Sequence, residues 1–232
     1  KEIKESLDLC LSCKACASEC PSNVDVAILK AEFLYQYQEE NGYSFRSKLF
    51  ANNVKYNKLG SIAPAITNLI LNTSLAKSVM GVAQKRSVPK LASKTLKSWY
   101  KNRSVTSSLV EKPLKTVYLF CDEFTNFYDV EIGKDAFYLL EKLGYNLQII
   151  NHEESGRSYI SKGFLKEAKK LANKNVAVFK DVISNKTPLL GIEPSAILTF
   201  RDEYLRLADD TTSAEKIAKN TFKQQELVKS KT

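Results

Sequence analysis

Residues 10–21 read CLSCKACASECP, and this stretch holds four of the chain's five cysteines. The spacing is C-x2-C-x2-C-x3-C-P, the pattern that ligates [4Fe–4S] clusters. Such a cluster needs thiolates at separate corners, and two-residue gaps let one tight loop supply several of them. The final proline then turns the chain away and fixes the start of the next element. The stretch predicts an iron–sulfur site with Cys10, Cys13, Cys16 and Cys20 as cofactor and metal ligands.

Zinc is the main alternative at these cysteines, because four-cysteine zinc sites also use C-x2-C pairs. Zinc sites usually place their two pairs on separate knuckles, about a dozen or more residues apart. A disulfide framework is disfavoured because such close cysteines would close very small loops. We therefore expect iron–sulfur chemistry here.

The position of the fourth cysteine leaves two ligand sets open. In proteins with two such clusters, the last cysteine of the run ligates the other cluster. Cys20 would then complete either this cluster or a neighbouring one. The fifth cysteine, Cys121, lies far downstream, and the sequence begins at Lys1 without a methionine. We expect an upstream segment with a matching cysteine run, so that this sequence is part of a longer protein.

Composition bounds the remaining classes of function. The length of 232 residues suits one or two domains, and no apolar stretch is long enough for a membrane span. Clustered reduced cysteines indicate a cytoplasmic protein. The net charge is +9, but the lysines are spread out and no nucleic-acid motif occurs, so we expect no nucleic-acid partner. A basic face could steer an acidic redox partner or lie against anionic lipid.

The first part of the chain reads as helical. The apolar spacing predicts a helix over 23–40 with Ser22 and Asp25 as capping candidates, a second over 44–59, and a third from 63 to 80. The third helix is amphipathic, so we expect it to pack on neighbouring helices, with docking on a membrane or partner as the alternative. We assign 1–80 to a helical, ferredoxin-like and incomplete iron–sulfur segment and 81–113 to a mostly irregular linker.

From residue 114 the pattern changes to alternating strands and helices. The segments are strands at 116–121, 145–150 and 189–192, helices at 130–143, 161–172, 175–184 and 195–208, and a polar helical tail after 211. Strand–helix–strand alternation predicts a parallel sheet covered by helices. The fold class is therefore α/β, with a helical cluster segment followed by a small parallel-sheet domain over 114–232.

Several further motifs extend beyond the cysteine run. In the α/β half they are FCDEFTNF at 120–127, EIG at 131–133, SGR at 155–157, SKG at 161–163, EPS at 193–195 and RDE at 201–203. With residues 10–21 and the helix after them, they resemble the iron–sulfur portion of FAD-linked 2-hydroxyacid dehydrogenases. These are the glycolate oxidase and D-lactate dehydrogenase iron–sulfur type, with the related anaerobic glycerol-3-phosphate dehydrogenase small subunit.

The resemblance also shows where this chain departs from the family. The family's α/β domain, also found in heterodisulfide reductase, is rich in cysteine. Here the corresponding places hold Glu123, residues 154–156 and Ala196, and Cys121 is interpreted as a strand residue. We therefore expect a degenerate cysteine-rich repeat with no metal chemistry of its own.

The resemblance implies an electron-transfer module that relays electrons from FAD to a further cluster or a quinone-type acceptor. It implies a [4Fe–4S] cluster on this chain, FAD on a partner dehydrogenase domain or subunit, and an upstream second-cluster segment. A peripheral membrane or quinone-side partner at the inner membrane face is a further expectation. No catalytic residue is assigned to this part. The alternative is a docking or structural module for a flavoprotein, with a non-redox or zinc-bound cysteine site.

The most polar loop of the α/β half surrounds the single histidine. His152 lies beside Glu153 and Glu154 and could be a metal ligand or proton carrier. We expect instead a solvated loop that caps the following helix.

Two arginines of the same half could hold a carboxylate in a bidentate manner. They are Arg157 and Arg201, for which we expect structural ion pairs with Asp122, Glu123 or Glu203. No glycine-rich phosphate cradle occurs, so we expect no flavin or nicotinamide site within these residues.

Overall fold

The computed structural model describes residues 2–103 and 115–229. Within these ranges the helices are α1 (Glu2–Asp8), α2 (Ala15–Glu19), α3 (Val26–Asn41), α4 (Phe45–Ala51), α5 (Asn53–Gly60), α6 (Pro64–Leu71), α7 (Ser74–Met80), α8 (Leu96–Asn102), α9 (Glu123–Phe127), α10 (Val130–Lys142), α11 (Arg157–Ser161), α12 (Leu165–Phe179), α13 (Pro194–Ile197), α14 (Tyr204–Leu207), α15 (Thr211–Lys219) and α16 (Gln224–Lys229). The strands are β1 (Lys115–Phe120), β2 (Tyr145–Gln148), β3 (Leu189–Gly191) and β4 (Thr221–Lys223). None of these helices is long and apolar enough to cross a membrane.

The chain divides into two compact units. Unit 1 comprises Lys1–Asn53 and Gly156–Ala168, and unit 2 comprises Val54–Ser155 and Lys169–Thr232. The three-part division of the sequence, with its linker over 81–113, stays a prediction.

The longest helix of unit 1 is α3, which follows the cysteine run directly. The Asp25 carboxylate accepts the backbone N–H groups of Ala27 and Ile28 at 2.8 and 3.2 Å, so Asp25 caps the helix as predicted. Gly42 ends it with a φ of +83°. The cap fixes the direction in which the chain leaves the cysteines.

Two predicted helices are each broken in two. The segment 44–59 forms α4 and α5, and the segment 63–80 forms α6 and α7. The second break occurs because the Thr73 hydroxyl accepts the Ala76 N–H and starts a new helix. The predicted linker also contains a helix, α8, which Thr95 caps and which buries Leu96 completely.

Unit 2 is built on a four-stranded parallel sheet in the order β2-β1-β3-β4. The α/β fold class predicted from the sequence is therefore confirmed. Strand β4 was missed, because it has only three residues and lies within a segment that reads as a polar helix. Since all four strands are parallel, their carboxyl ends lie at one edge of the sheet.

The helices after residue 156 differ from the prediction. The predicted helices 161–172 and 175–184 are wrong, because α11 ends at Ser161 and α12 then runs unbroken from Leu165 to Phe179. Asn175 lies within α12 and is buried, so it does not interrupt the helix. The predicted helix 195–208 is also wrong, since it is split into α13, a 3-10 turn (Leu198–Arg201) and α14.

Strand β1 separates two hydrophobic clusters of unit 2. Val117 and Leu119 pack with residues of α10 and β2 in one cluster, whereas Phe120 packs with Phe179 and Ile197 in the other. This alternation follows from the two-residue period of a strand. The carboxyl end of β1 is thereby held in a fully packed position, where Cys121, Asp122 and Glu123 follow.

Candidate metal centre

The four predicted ligands lie in unit 1, between α1 and α3. Cys10 and Cys13 precede α2, Cys16 lies within it, and Cys20 ends it. Three non-glycine residues of this segment adopt left-handed backbone conformations: Ser12 at φ +54°, Lys14 at +62° and Asn23 at +51°. A left-handed backbone conformation costs energy in any residue other than glycine. The concentration of such residues here shows a chain wound tightly around the cysteines.

Backbone N–H groups are directed at three of the four sulfurs. The Ser12 N–H donates to Cys10 Sγ at 3.4 Å, and the Val26 N–H donates to Cys16 Sγ at 3.3 Å. Backbone N–H groups of Val24 and Ser22 lower the pKa of Cys20. Amide N–H groups directed at sulfur stabilise the negative charge that a metal-bound thiolate carries.

All four thiols are free, with Cys13 exposed and the other three partly buried. Among residues 2–103 and 115–229, no three His, Cys, Asp or Glu side chains gather around a point that could hold a single metal ion. A [4Fe–4S] cluster takes one thiolate per iron, so its ligands surround a volume rather than converge on one ion. Four thiols on one loop with amide donors at three sulfurs fit that cofactor.

The cysteine loop is also tied to the helix that follows it. Lys30 on α3 donates from Nζ to the Cys10 carbonyl at 2.7 Å, which joins the start of the loop to the helix. The Val26 N–H, at the first residue of α3, reaches Cys16. Helix α3 therefore contacts the loop at both Cys10 and Cys16.

The carboxyl edge of the sheet in unit 2 carries buried acids. Asp122 caps α9 and accepts three hydrogen bonds, from the N–H groups of Phe124 and Thr125 and from Thr125 Oγ1. Burial nevertheless raises the pKa of Asp122 to about 7. Glu123 accepts from Ser155 N at 2.9 Å and Ser155 Oγ at 2.6 Å, and burial raises its pKa too. Asp122 therefore stabilises the start of α9, whereas Glu123 joins the end of β1 to the loop after β2.

The expectation of a solvated loop at His152 is wrong. The His152 side chain is buried and stacks on Phe120 with ring centroids 4.4 Å apart. Its Nε2 accepts the Cys121 N–H at 3.1 Å, so Nδ1 carries the proton and donates to the Glu153 carbonyl at 2.6 Å. Burial lowers the pKa of His152 to about 3. Both ring nitrogens are engaged, and neither is available to a metal or a moving proton.

The fifth cysteine belongs to this packed edge as well. Cys121 directly follows β1, is buried, and lies with Sγ 3.6 Å from Asn126 Oδ1. Burial raises the pKa of its thiol to about 12. A buried protonated thiol is unreactive, so Cys121 is a structural residue.

Three further polar residues form a hydrogen-bond network near this edge, and the sequence analysis does not predict it. Tyr204 donates from its hydroxyl to the Ser155 carbonyl at 2.9 Å and accepts from Asn175 Nδ2 at 2.9 Å. Lys97 donates from Nζ to the His152 carbonyl at 3.0 Å. Asn175 lies on the buried face of an amphipathic helix, and such a polar residue is the only pattern that could have marked this network.

The ion pair of Arg201 differs from the expectation, whereas that of Arg157 stays a prediction. Arg201 Nη1 contacts both carboxylate oxygens of Glu226 at 3.2 and 3.1 Å, so its ion pair is structural but its partner was not predicted. Glu226 lies in the tail after residue 211, which the sequence predicts to be a polar helix. Arg157 begins α11 in unit 1.

Comparison with known proteins identifies relatives over most of the chain. It is 32% identical over 215 residues to D-2-hydroxyglutarate dehydrogenase of Pantoea ananatis, and 30% identical over 212 residues to the same enzyme of Escherichia coli K12. Each alignment covers 88% of this chain and 21% of the relative. The chain thus spans about a fifth of the length of these relatives.

A second group of relatives is more distant. One component of the anaerobic glycerol-3-phosphate dehydrogenase of Escherichia coli K12 is 26% identical over 145 residues, which cover 62% of this chain and 36% of that component. No family model and no solved structure matches the chain. The resemblance drawn from the sequence is confirmed: the chain is related to the D-2-hydroxyglutarate dehydrogenases and to this component of anaerobic glycerol-3-phosphate dehydrogenase.

Proposed function

We propose that this chain is a [4Fe–4S] electron-transfer module of a flavin-dependent 2-hydroxyacid dehydrogenase of the glycolate or lactate type. The observation that carries the proposal is the loop of four free thiols with backbone N–H donors at three of the sulfurs. The dehydrogenase names of both groups of relatives support the reaction class.

Each residue of the loop has a defined task in this proposal. Cys10, Cys13 and Cys16 hold one cluster, and Cys20 completes it or serves a neighbouring cluster. The bound cluster would accept and pass on single electrons. The N–H groups of Ser12 and Val26 stabilise negative charge on the sulfurs. They would therefore favour the reduced state of a bound cluster. Lys30 fixes the loop through the Cys10 carbonyl.

The flavin and the hydroxyacid belong to a partner in this proposal. FAD on another domain or subunit would take two electrons from the substrate, and single electrons would leave through this chain and an upstream cluster segment toward a quinone-type acceptor. The chain spans only about a fifth of its D-2-hydroxyglutarate dehydrogenase relatives, which leaves ample length for such a flavin domain in a protein of that size.

The composition of α6 and α7 supports a peripheral position at a membrane. Among the described residues, neither helix buries a side chain. Large apolar side chains on and beside them are exposed: Leu59, Ile62, Ile66, Leu69, Ile70, Leu75 and Val79. Residues 41–110 contain no aspartate or glutamate. The cations on α7 and in the sequence that follows it are Lys77, Lys85, Arg86, Lys90 and Lys94. Exposed apolar residues with basic neighbours fit an anionic lipid surface.

Vesicle sedimentation tests this placement. The protein should sediment with vesicles of phosphatidylcholine and phosphatidylglycerol but not with phosphatidylcholine alone, and added salt should weaken binding. The double variant Leu69→Ser/Leu75→Ser should lose most of the bound fraction. Ile132→Ser, which changes another exposed apolar residue, on α10, is the control and should bind normally. Equal binding to both vesicles would overturn the placement.

The cluster itself is tested by iron and acid-labile sulfide per chain, together with the visible spectrum, after anaerobic purification. About four irons with broad absorption are expected for a [4Fe–4S] centre. Cys13→Ser should lose or convert the cluster. Cys121→Ser is the matched control, because Cys121 is buried within unit 2 and is not part of the cysteine run, and it should keep the full spectrum. One zinc per chain in place of iron would favour the structural alternative, and a full spectrum in Cys13→Ser would contradict the ligand assignment.

A further inference from the structure

Unit 1 contains a cavity of about 490 Å³ lined by residues of α1, α3, α4 and the end of α11. This volume is within the range of pockets that bind small molecules. Four cations line it, Lys4, Lys30, Arg46 and Lys162, together with the single acid Asp8. The other polar side chains of the lining are Tyr37, Gln38, Ser44, Ser47 and Ser161.

The positive charge of this cavity is only partly neutralised. Asp8 is paired with Lys4 at 2.6 Å. No described residue forms a salt bridge with Lys30, Arg46 or Lys162. Burial lowers the pKa of Lys162, and the positive charges of Arg46 and Lys30 lower it further. Three cations that repel one another around a space of this size are stabilised when an anion enters it.

The wall that carries Lys162 is built and held in place. Gln38 is buried and donates from Nε2 to the Lys162 carbonyl at 2.8 Å and to the Leu34 carbonyl at 3.0 Å. Gly163 follows with a φ of +71°, and a Cβ atom there would lie 2.7 Å from Leu34 Cβ. These contacts fix the backbone of Lys162 against α3, so its position does not depend on a mobile surface chain.

We propose that this cavity binds a small organic or inorganic dianion whose acidic groups are carboxylates or phosphates. Lys162 and Arg46 contact the anion, and Lys30 completes the cationic set while its Nζ holds the Cys10 carbonyl. Lys30 thereby connects the cavity to the backbone of Cys10, the first predicted cluster ligand. The proposal concerns the folded chain alone and does not depend on the cluster or on the flavin partner.

Calorimetric titration of the full chain with glutarate and, separately, with inorganic phosphate tests the site. Saturable binding is expected, and the two probes distinguish a dicarboxylate from a phosphate ligand. Lys162→Gln and Arg46→Gln should each weaken binding by about tenfold or more, because each removes a charge-assisted hydrogen bond. Arg46→Lys should retain part of the affinity.

Lys48→Gln is the matched control, since Lys48 is an exposed lysine on the same helix as Arg46 and does not line the cavity. It changes the net charge by the same amount and should leave the affinity unchanged. Absence of saturable binding to either probe would overturn the proposal. An equal loss in Lys48→Gln would also overturn it, because a diffuse basic surface would then explain the binding.

Discussion

Glu154 is an acidic residue of unit 2 whose ionised form is destabilised by burial. Its Oε2 atom is buried and has no hydrogen-bond partner in the part of the chain that the structure describes. Burial raises the pKa of Glu154 to about 7, and the nearby charge of Glu123 adds to this. An unfolded glutamate has a pKa of about 4.3. Between these two values the folded state binds more protons, so Glu154 makes the free energy of unfolding fall as pH rises from about 4.5 to 7.

Glu154→Gln should remove this contribution. As pH rises from 5 to 8, the free energy of unfolding of the variant should increase by about 1–2 kcal/mol relative to that of the wild type. This value is smaller than the full pKa difference would give, because the side chain is partly exposed to solvent. Urea unfolding at the two pH values measures it. His152 acts in the opposite direction, because its lowered pKa costs stability below pH 6.5, but it contributes equally to both proteins. An unchanged slope in Glu154→Gln would contradict the prediction.

At the same scale, the two halves of the chain differed in how well their residues could be predicted. The chemistry of the cysteine run depends on spacing within one short loop, and that is visible in the sequence. The role of His152 depends on Phe120 and Cys121, which approach it only after the sheet forms. Burial of a polar residue is a tertiary property, and a loop of polar residues therefore read as solvated.

Among the elements of unit 1, the turn between α11 and α12 depends on glycine. Gly163→Ala should destabilise the protein by about 2–4 kcal/mol, because a Cβ atom meets Leu34 at 2.7 Å and the φ of +71° disfavours a side chain. Gly42→Ala isolates the second effect, since Gly42 has a φ of +83° with nothing near its Cβ position, and it should cost about 1 kcal/mol. Urea unfolding compares the two; equal losses would mean that the contact with Leu34 is unimportant.

The elements themselves were predictable where hydrophobic periodicity was strong. The start of α3, the helix α10 and the strands β1 to β3 follow from apolar spacing and capping residues. The break between α6 and α7 depends on one threonine hydroxyl, and β4 depends on pairing with β3. A short strand of three residues has too little pattern of its own, so its existence is decided by its neighbour.

At the scale of the whole molecule, the cysteine loop and the packed sheet should respond separately to mutation. The single tryptophan, Trp99, reports on unit 2, where its ring meets Phe137 and Tyr138 at centroid distances of 5.6 and 5.7 Å. All the side chains of this cluster belong to unit 2.

Cys13→Ser should therefore abolish the cluster spectrum while leaving the emission of Trp99 and its urea midpoint unchanged. Leu140→Ala is the opposite case, because Leu140 is completely buried in the same cluster as Phe137. It should lower the free energy of unfolding reported by Trp99 by about 2–5 kcal/mol and leave the iron content of the folded protein intact. If Cys13→Ser shifted the Trp99 midpoint as far as Leu140→Ala does, the cluster would be required for the fold of unit 2, and the loop would have a structural role beyond electron transfer.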